Sequence, residues 1–351
     1  MRVPSYTSLD NTLDTLTGYG TQLKNGNSNH APMVAEALCA MGRPDAVMPW
    51  IARYRDRMLP RPPTRDRILG EDWRSALGEG NRFTEWAAFF GEELHETPWS
   101  EVLDRWVARL APGFCAAATH GVIRVGHAVR SLAAGAQACR VRELADALAS
   151  WAATYQELPA SRDVANGTMT PREAIARIPV IPPANRRDLG NITASLAMLD
   201  DFPEFGPVIG LIDVDRDFGP LLSELTEVFA RVHLANAHNL LTTIVFIHGV
   251  TSLAALGSII PEVSDRTARA GLRYAWQSGC GLYACFGGST VMAQDIETRE
   301  HDEDDLVDRA LANGDEHVIK FTEACLRRHA LGPSPAYFSA VDTALAIMPS
   351  R

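Results

Sequence analysis

The segment Leu240–Ile260 reads LLTTIVFIHGVTSLAALGSII, 21 residues without a charge. A bilayer's hydrocarbon core needs about 20 apolar residues, so length alone admits a membrane span. Its content argues otherwise. His248, Thr242, Thr243, Thr251 and two serines interrupt the run, and nothing comparable occurs elsewhere in the chain. The segment is therefore expected to be a buried central helix, or two helices broken at Gly249, in a protein that does not enter the membrane.

Working outward, proline and glycine divide the text into lengths that suit helices of about 10 to 20 residues. Ala31–Met41 opens with Pro32 near a helix start, keeps Met33, Ala37, Leu38 and Met41 on one side and ends before Gly42-Arg43-Pro44. Thr84–Leu94 and Trp99–Leu110 repeat the amphipathic pattern, and Phe114–Leu148 is alanine-rich with an expected break near Gly135. Leu221–Val232, Ala237–Ala255, Asp265–Gly288 and Asp304–Leu331 also predict helices. Val208–Val214 is the best strand candidate, and Leu158–Arg187 holds several prolines. No repeat of fixed period emerges. The expected architecture is all-α, a single large helical domain over 1–351 with a loop-rich excursion at about 158–187.

Composition bounds the function. With 351 residues, 46% of them hydrophobic, the chain can bury a large core. The net charge is −10 and no basic run tracks a phosphate backbone, so nucleic acid is not an expected partner. The six cysteines are scattered without a CxxC pair, as reduced thiols of a cytoplasmic protein would be. The start, MRVPSYTSLDNTLD, lacks the apolar core of a signal peptide, and MPSR at the end carries no lipidation box. Oligomeric state is not legible.

Chemistry is concentrated in a few strings. Glu316-His317-Val318-Ile319-Lys320 holds one of only two lysines, the other being Lys24, against 31 arginines. On a helix His317 and Lys320 lie one turn apart and point the same way. A buried lysine can lose its proton and act as base, nucleophile or carbamate, which arginine cannot. His30, His120 and His248 also stand in apolar or small-residue text, where burial without a partner is costly. Four such imidazoles suggest a metal, and imidazole suits iron, zinc, copper or nickel. His127 follows His120 by seven residues and lines the same helical face, while His233 and His238 precede the central helix as outer supports. His95, His301 and His329 stand among charges and read as solvated. No GxGxxG, P-loop, GxSxG or HExxH occurs, and a di-iron pair of Glu-x-x-His units is not found.

In order along the chain, Asn29-His30, Ala37-Leu38-Cys39-Ala40-Met41-Gly42, Leu110-Ala111-Pro112-Gly113, His120-Gly121-Val122-Ile123-Arg124-Val125-Gly126-His127, Ile247-His248-Gly249-Val250-Thr251 and Glu316-His317-Val318-Ile319-Lys320 resemble the questin oxidase-like family. The resemblance implies an all-helical oxygenase that takes a small aromatic or polyketide-like substrate of secondary metabolism, opening rings or inserting oxygen in a Baeyer–Villiger sense. It implies non-haem Fe(2+) held by His30, His120, His248, His317 and a carboxylated Lys320, with carbon dioxide bound as the lysine carbamate and O2 as co-substrate. His248 and Lys320 would be the residues closest to the chemistry. Fungal members often have a tyrosine where His127 stands and a histidine where Arg124 stands, a departure that bears on the substrate. The expected pocket comprises His127, Arg124, His238 and, from the glycine-rich run Gly279–Thr290, Tyr283 and Phe286, although close helix packing explains that run equally well. Two other readings stay open: a zinc-dependent or metal-free lyase or hydrolase using His248 and Lys320, and a non-catalytic helical binding protein.

Overall fold

The computed structural model describes residues 3–161, 165–187, 189–296 and 302–351. Fifteen α-helices and one two-stranded sheet are found among them. In chain order the elements are α1 (Thr7–Leu16), β1 (Tyr19–Leu23), α2 (Ala31–Ala40), α3 (Val47–Tyr54), β2 (Met58–Pro60), α4 (Phe83–Glu96), α5 (Trp99–Leu110), α6 (His120–Ala133) and α7 (Ala138–Ala153). They continue with α8 (Pro171–Ala174), α9 (Ile192–Leu196), α10 (Phe218–Asn236), α11 (Leu240–Ile259), α12 (Asp265–Phe286), α13 (Glu303–Asn313), α14 (Glu316–Leu331) and α15 (Pro335–Ile347). The fold is all-α, as expected, and one main hydrophobic core runs from Leu9 in α1 to Ala344 in α15.

The charge-free segment is the axle of that core. α11 runs unbroken through Gly249 and packs on α6, α10, α12 and α14. Leu240–Glu262 is long and apolar enough to cross a membrane, but 78% of its apolar window is buried inside the protein. A helix apolar all round needs neighbours on every side, and here four helices provide them. Its start is fixed by a capping box: the Asn239 side chain accepts from the Thr242 backbone N–H while the Thr242 hydroxyl accepts from the Asn239 N–H.

α6 and α11 lie in intimate contact. A Cβ added at Gly126 would stand 2.6 Å from the Ala255 Cβ and carbonyl oxygen, so only glycine lets the two backbones meet there. His120 precedes Gly126 by six residues and His248 precedes Ala255 by seven, so the helices run in parallel and bring the two histidines level. Met33, Ile123 and Ala255 form a small apolar layer. Met33 and Ile123 lie one turn beyond His30 and His120, and Ala255 two turns beyond His248, so this layer closes one side of the imidazoles.

Three expectations need correction. Val208–Val214 is not a strand: its first three residues finish the 3-10 helix Pro203–Gly210, which opens on Pro203. The region retains one isolated bridge, Met169 to Ile212. Phe114–Leu148 is not one helix broken only at Gly135, because α6 starts at His120 after three consecutive residues with positive φ, Ala117 (47°), Ala118 (55°) and Thr119 (69°). Asp304–Leu331 is two helices, separated at Gly314, whose φ of 77° stops α13 in the left-handed region. The excursion at 158–187 holds α8 and two short 3-10 turns, Ile175–Arg177 and Pro183–Asn185, as its helical elements among the described residues.

Candidate metal centre

Four helices each deliver one histidine to a single point. His30 stands at the N-terminal boundary of α2, His120 is the first residue of α6, His248 lies mid-way along α11 and His317 is in the first turn of α14. Ring centroids are 4.5 Å apart for His30–His120, 4.6 Å for His30–His317, 4.6 Å for His120–His248 and 5.6 Å for His248–His317. Ring nitrogens of His30, His120 and His317 all come within 4.8 Å of one another. All four residues are buried, at 1–8% exposure.

Hydrogen bonds fix which nitrogen faces inward. His120 Nδ1 donates to the Ala117 carbonyl at 2.6 Å, and His248 Nδ1 donates to the Ile244 carbonyl at 2.7 Å. A carbonyl can only accept, so the proton of each neutral ring sits on Nδ1 and the Nε2 lone pair is free. The two Nε2 atoms are 3.3 Å apart. Protonation of either ring is strongly disfavoured: burial lowers both pKa values well below the usual histidine range, with Lys320 the next cause at His120 and the other histidines at His248. Two lone pairs facing each other without a proton repel unless a cation lies between them. Nitrogen–metal bonds of about 2.1 Å at angles near 90–110° separate adjacent ligand nitrogens by roughly 3.0–3.4 Å.

The other two histidines have supports of their own. His317 Nδ1 donates to Asp315 Oδ1 at 3.1 Å, the arrangement in which a carboxylate orients a metal-binding imidazole. Asp315 is also the N-cap of α14, accepting from the His317 backbone N–H at 2.8 Å, and Arg351 Nε lies 2.8 Å from its other oxygen. His30 is held through its backbone, whose N–H donates to the Tyr54 hydroxyl at 3.0 Å, while its Nδ1 is buried with no hydrogen-bond partner. Burial, then Lys320 and the other three histidines, keep the His30 ring neutral. That orphaned nitrogen is a group for which a buried site should supply something.

Lys320 is one turn after His317 and 2% exposed. Burial pushes its ammonium down to about 7, against the opposing pull of Glu316 and Asp315. Val318 and Ile319 between them are wholly buried. Lys24, by contrast, is exposed.

Other expected pocket residues are dispersed. Arg124 turns to α7, where Nε and Nη2 meet Glu143 at 2.7 and 2.9 Å, so its guanidinium is spent in an ion pair and does not line the centre. His238 is exposed beside the start of α11, ten residues or about 15 Å of helix from His248. The Tyr283 hydroxyl donates to the Gly288 carbonyl at 3.1 Å, and Phe286 ends α12. The glycine-rich run is a packing feature: a Cβ at Gly279 would stand 2.3 Å from the Phe229 ring. His233 is buried against Phe321, ring centroids 5.0 Å apart, and His95 is exposed. His329 is partly buried with Nδ1 3.3 Å from the Ser334 N–H, while His301 lies outside the described residues. His127 does stay near the centre. Its ring lines a small cavity with Lys320, and its Nδ1 is 2.6 Å from Glu36 Oε2.

Sequence reasoning missed Glu36, Asp315, Glu323 and Tyr54. Glu36 carried a signal, being the single charge in the otherwise apolar APMVAEALCA of α2. Glu323, one turn after Lys320, carried the same spacing that singled out His317.

No curated protein matches the chain. The family model described as questin oxidase-like matches residues 27–195, just under half of the chain, which include His30, His120 and His127. His248, His317 and Lys320 lie beyond that match and are joined to it by the geometry above. Over residues 27–195 the chain is similar to the questin oxidase-like family, whose name marks an oxidase.

Proposed function

We propose that the protein is an iron-dependent oxygenase acting on an aromatic or polyketide-like small molecule, by oxidative ring cleavage or Baeyer–Villiger-type oxygen insertion. His30, His120, His248 and His317 would hold iron(II), with Lys320 as a fifth, anionic ligand. The observation that carries the reading is the pair of proton-free Nε2 atoms of His120 and His248, 3.3 Å apart in a buried site. Bound there, iron would supply activation of dioxygen.

The chain's own residues have separable tasks. The carbonyls of Ala117 and Ile244 and the carboxylate of Asp315 hold three imidazoles in one tautomer and one orientation. Met33, Ile123 and Ala255 keep water from one side. Lys320, buried and with its pKa drawn down to about 7, has a neutral amine available to add to the carbon of carbon dioxide, losing one proton to solvent. The carbamate so formed is a hard oxygen ligand, and with iron(II) and four neutral imidazoles it leaves a net site charge of about +1. With no nicotinamide or flavin fingerprint in the sequence, electrons come from the substrate or an external reductant. The six unpaired cysteines suit a reducing, cytoplasmic setting.

Oxygen uptake tests the reading. Protein loaded with iron(II) in bicarbonate should consume dioxygen with a hydroquinone or enolisable polyketide substrate, and zinc-loaded protein should not. Turnover with zinc, without oxygen uptake, would favour a lyase or hydrolase instead.

A further inference from the structure

The mechanism leaves unused a buried carboxylate oxygen one helical turn from Lys320. Glu323 is 3% exposed and follows Lys320 by one turn of α14. Its Oε1 accepts from Arg130 Nη1 and, at 3.0 Å, from Arg327 Nε, while its Oε2 is buried without a hydrogen-bond partner. Although burial opposes ionisation, Arg130 and Arg327 outweigh it and hold the carboxyl below its usual range. An ionised, partnerless oxygen in a buried place calls for a hydrogen-bond donor.

Glu323, His127, Thr251, Lys320 and Arg130 line one cavity between α6, α11 and α14, with a volume of about 10 Å³, room for about one water. Its inner end is Lys320; its outer rim is Arg130 and Arg327, which are partly exposed.

The cavity walls offer acceptors. His127 Nδ1 lies 2.6 Å from Glu36 Oε2, and Glu36 is an ionised carboxylate held by Arg130, so the imidazole proton is on Nδ1 and Nε2 accepts. The Thr251 hydroxyl donates to the Ile247 carbonyl at 3.0 Å, leaving only its lone pairs. Arg130 donates to Glu36 and Glu323, and Arg327 donates to Glu323, to the Ala254 carbonyl at 2.9 Å and to Ser258 Oγ at 3.3 Å. Lys320 supplies a donor at the inner end, but beside Glu323 and His127 a carboxylate or phenolate would meet lone pairs, whereas a neutral hydroxyl would satisfy them.

We propose that this cavity is the socket for one neutral hydroxyl group of the substrate, bound by Glu323 Oε2 and His127 Nε2, and that it selects phenolic substrates over their methyl ethers. The inference rests on the oxygenase reading for the word substrate, but not for the polarity of the socket. Anything bulkier than the hydroxyl must remain outside the Arg130–Glu323 bridge or displace it.

The test compares binding of 1-naphthol and 1-methoxynaphthalene to the full chain, followed by tryptophan fluorescence, with iron content and thermal melting recorded on the same samples. A hydrogen bond to a charged acceptor is expected to make wild type prefer 1-naphthol by about 10-fold or more. In Glu323→Gln, where an amide N–H can turn into the cavity, and in His127→Phe, the preference should fall to about 2-fold or less. If Glu323→Gln does not fold, His127→Phe carries the test. Equal binding of the two probes by wild type, no binding of 1-naphthol at millimolar concentration, or a preference unchanged in the folded variants would overturn the proposal and leave a structural water as the cavity's occupant. Loss of iron from wild type with the preference intact would instead count against the oxygenase reading alone.

Discussion

Two buried polar clusters sit beside α6, and they are built on opposite principles. Around Arg124 the polar groups are paired: Arg124 meets Glu143 twice, Asp146 lies 3.9 Å from the same guanidinium, and Arg61 reaches Asp146 at 2.5 Å. Around His120 pairing is incomplete, with lone pairs of His120 and His248 opposed and His30 Nδ1 unpartnered. Both clusters are buried and both come from one string, His120-Gly121-Val122-Ile123-Arg124. A finished network holds helices together; an unfinished one marks where something else belongs.

The sharpest break of this comparison is at Lys320. Lys320→Ala should remove both iron and activity, with turnover down by more than about 10³-fold, if the lysine is a ligand and not a bystander. Lys24→Ala, at an exposed position, should change stability by less than about 0.5 kcal/mol and leave iron in place. Full turnover by Lys320→Ala would contradict the carbamate. Metal analysis and oxygen uptake on the two variants decide the matter.

At the finished cluster the outcome should invert. Glu143→Ala leaves a buried guanidinium short of its partner and should destabilise the fold by about 3–5 kcal/mol in chemical denaturation. Iron bound per folded chain should be unchanged. If Glu143→Ala stripped the metal while melting normally, the division between the two clusters would be mistaken.

The smallest effect concerns the turn before His120. Ala117, Ala118 and Thr119 adopt left-handed backbone, which costs an L-residue roughly 1–2 kcal/mol, and in doing so they aim the Ala117 carbonyl at His120 Nδ1. Ala118→Gly removes the steric conflict and should stabilise the protein by up to about 1 kcal/mol without altering metal content. Destabilisation by that substitution would mean the turn is not strained.

That turn also shows where the sequence stops being readable. The bounds of Trp99–Leu110 emerged directly, because one face of that helix is buried, and Ala31–Met41 was legible from its apolar text, all ten residues of α2 being buried. His317 and Lys320 were linked by spacing alone, and the four site histidines stood out because imidazoles in apolar text need a reason. The left-handed turn left no trace, since alanine and threonine are not residues that prefer such backbone. Nor could letters alone tell His127 and Arg124 apart as pocket residues: which one faces the centre depends on Glu36 on α2 and Glu143 on α7, 91 residues before the one and 19 after the other. The glycines between 279 and 288 were ambiguous for the opposite reason, because close packing and a ligand wall ask for the same missing Cβ.

The central claim is that four histidines and Lys320 form one iron site. Its most direct test is metal content per chain on protein prepared with iron(II) and bicarbonate under low oxygen, alongside His248→Ala and Lys320→Ala. The account predicts close to one iron per wild-type chain and loss of that iron in both folded variants. Wild-type protein without metal, or iron retained by both variants, would contradict it.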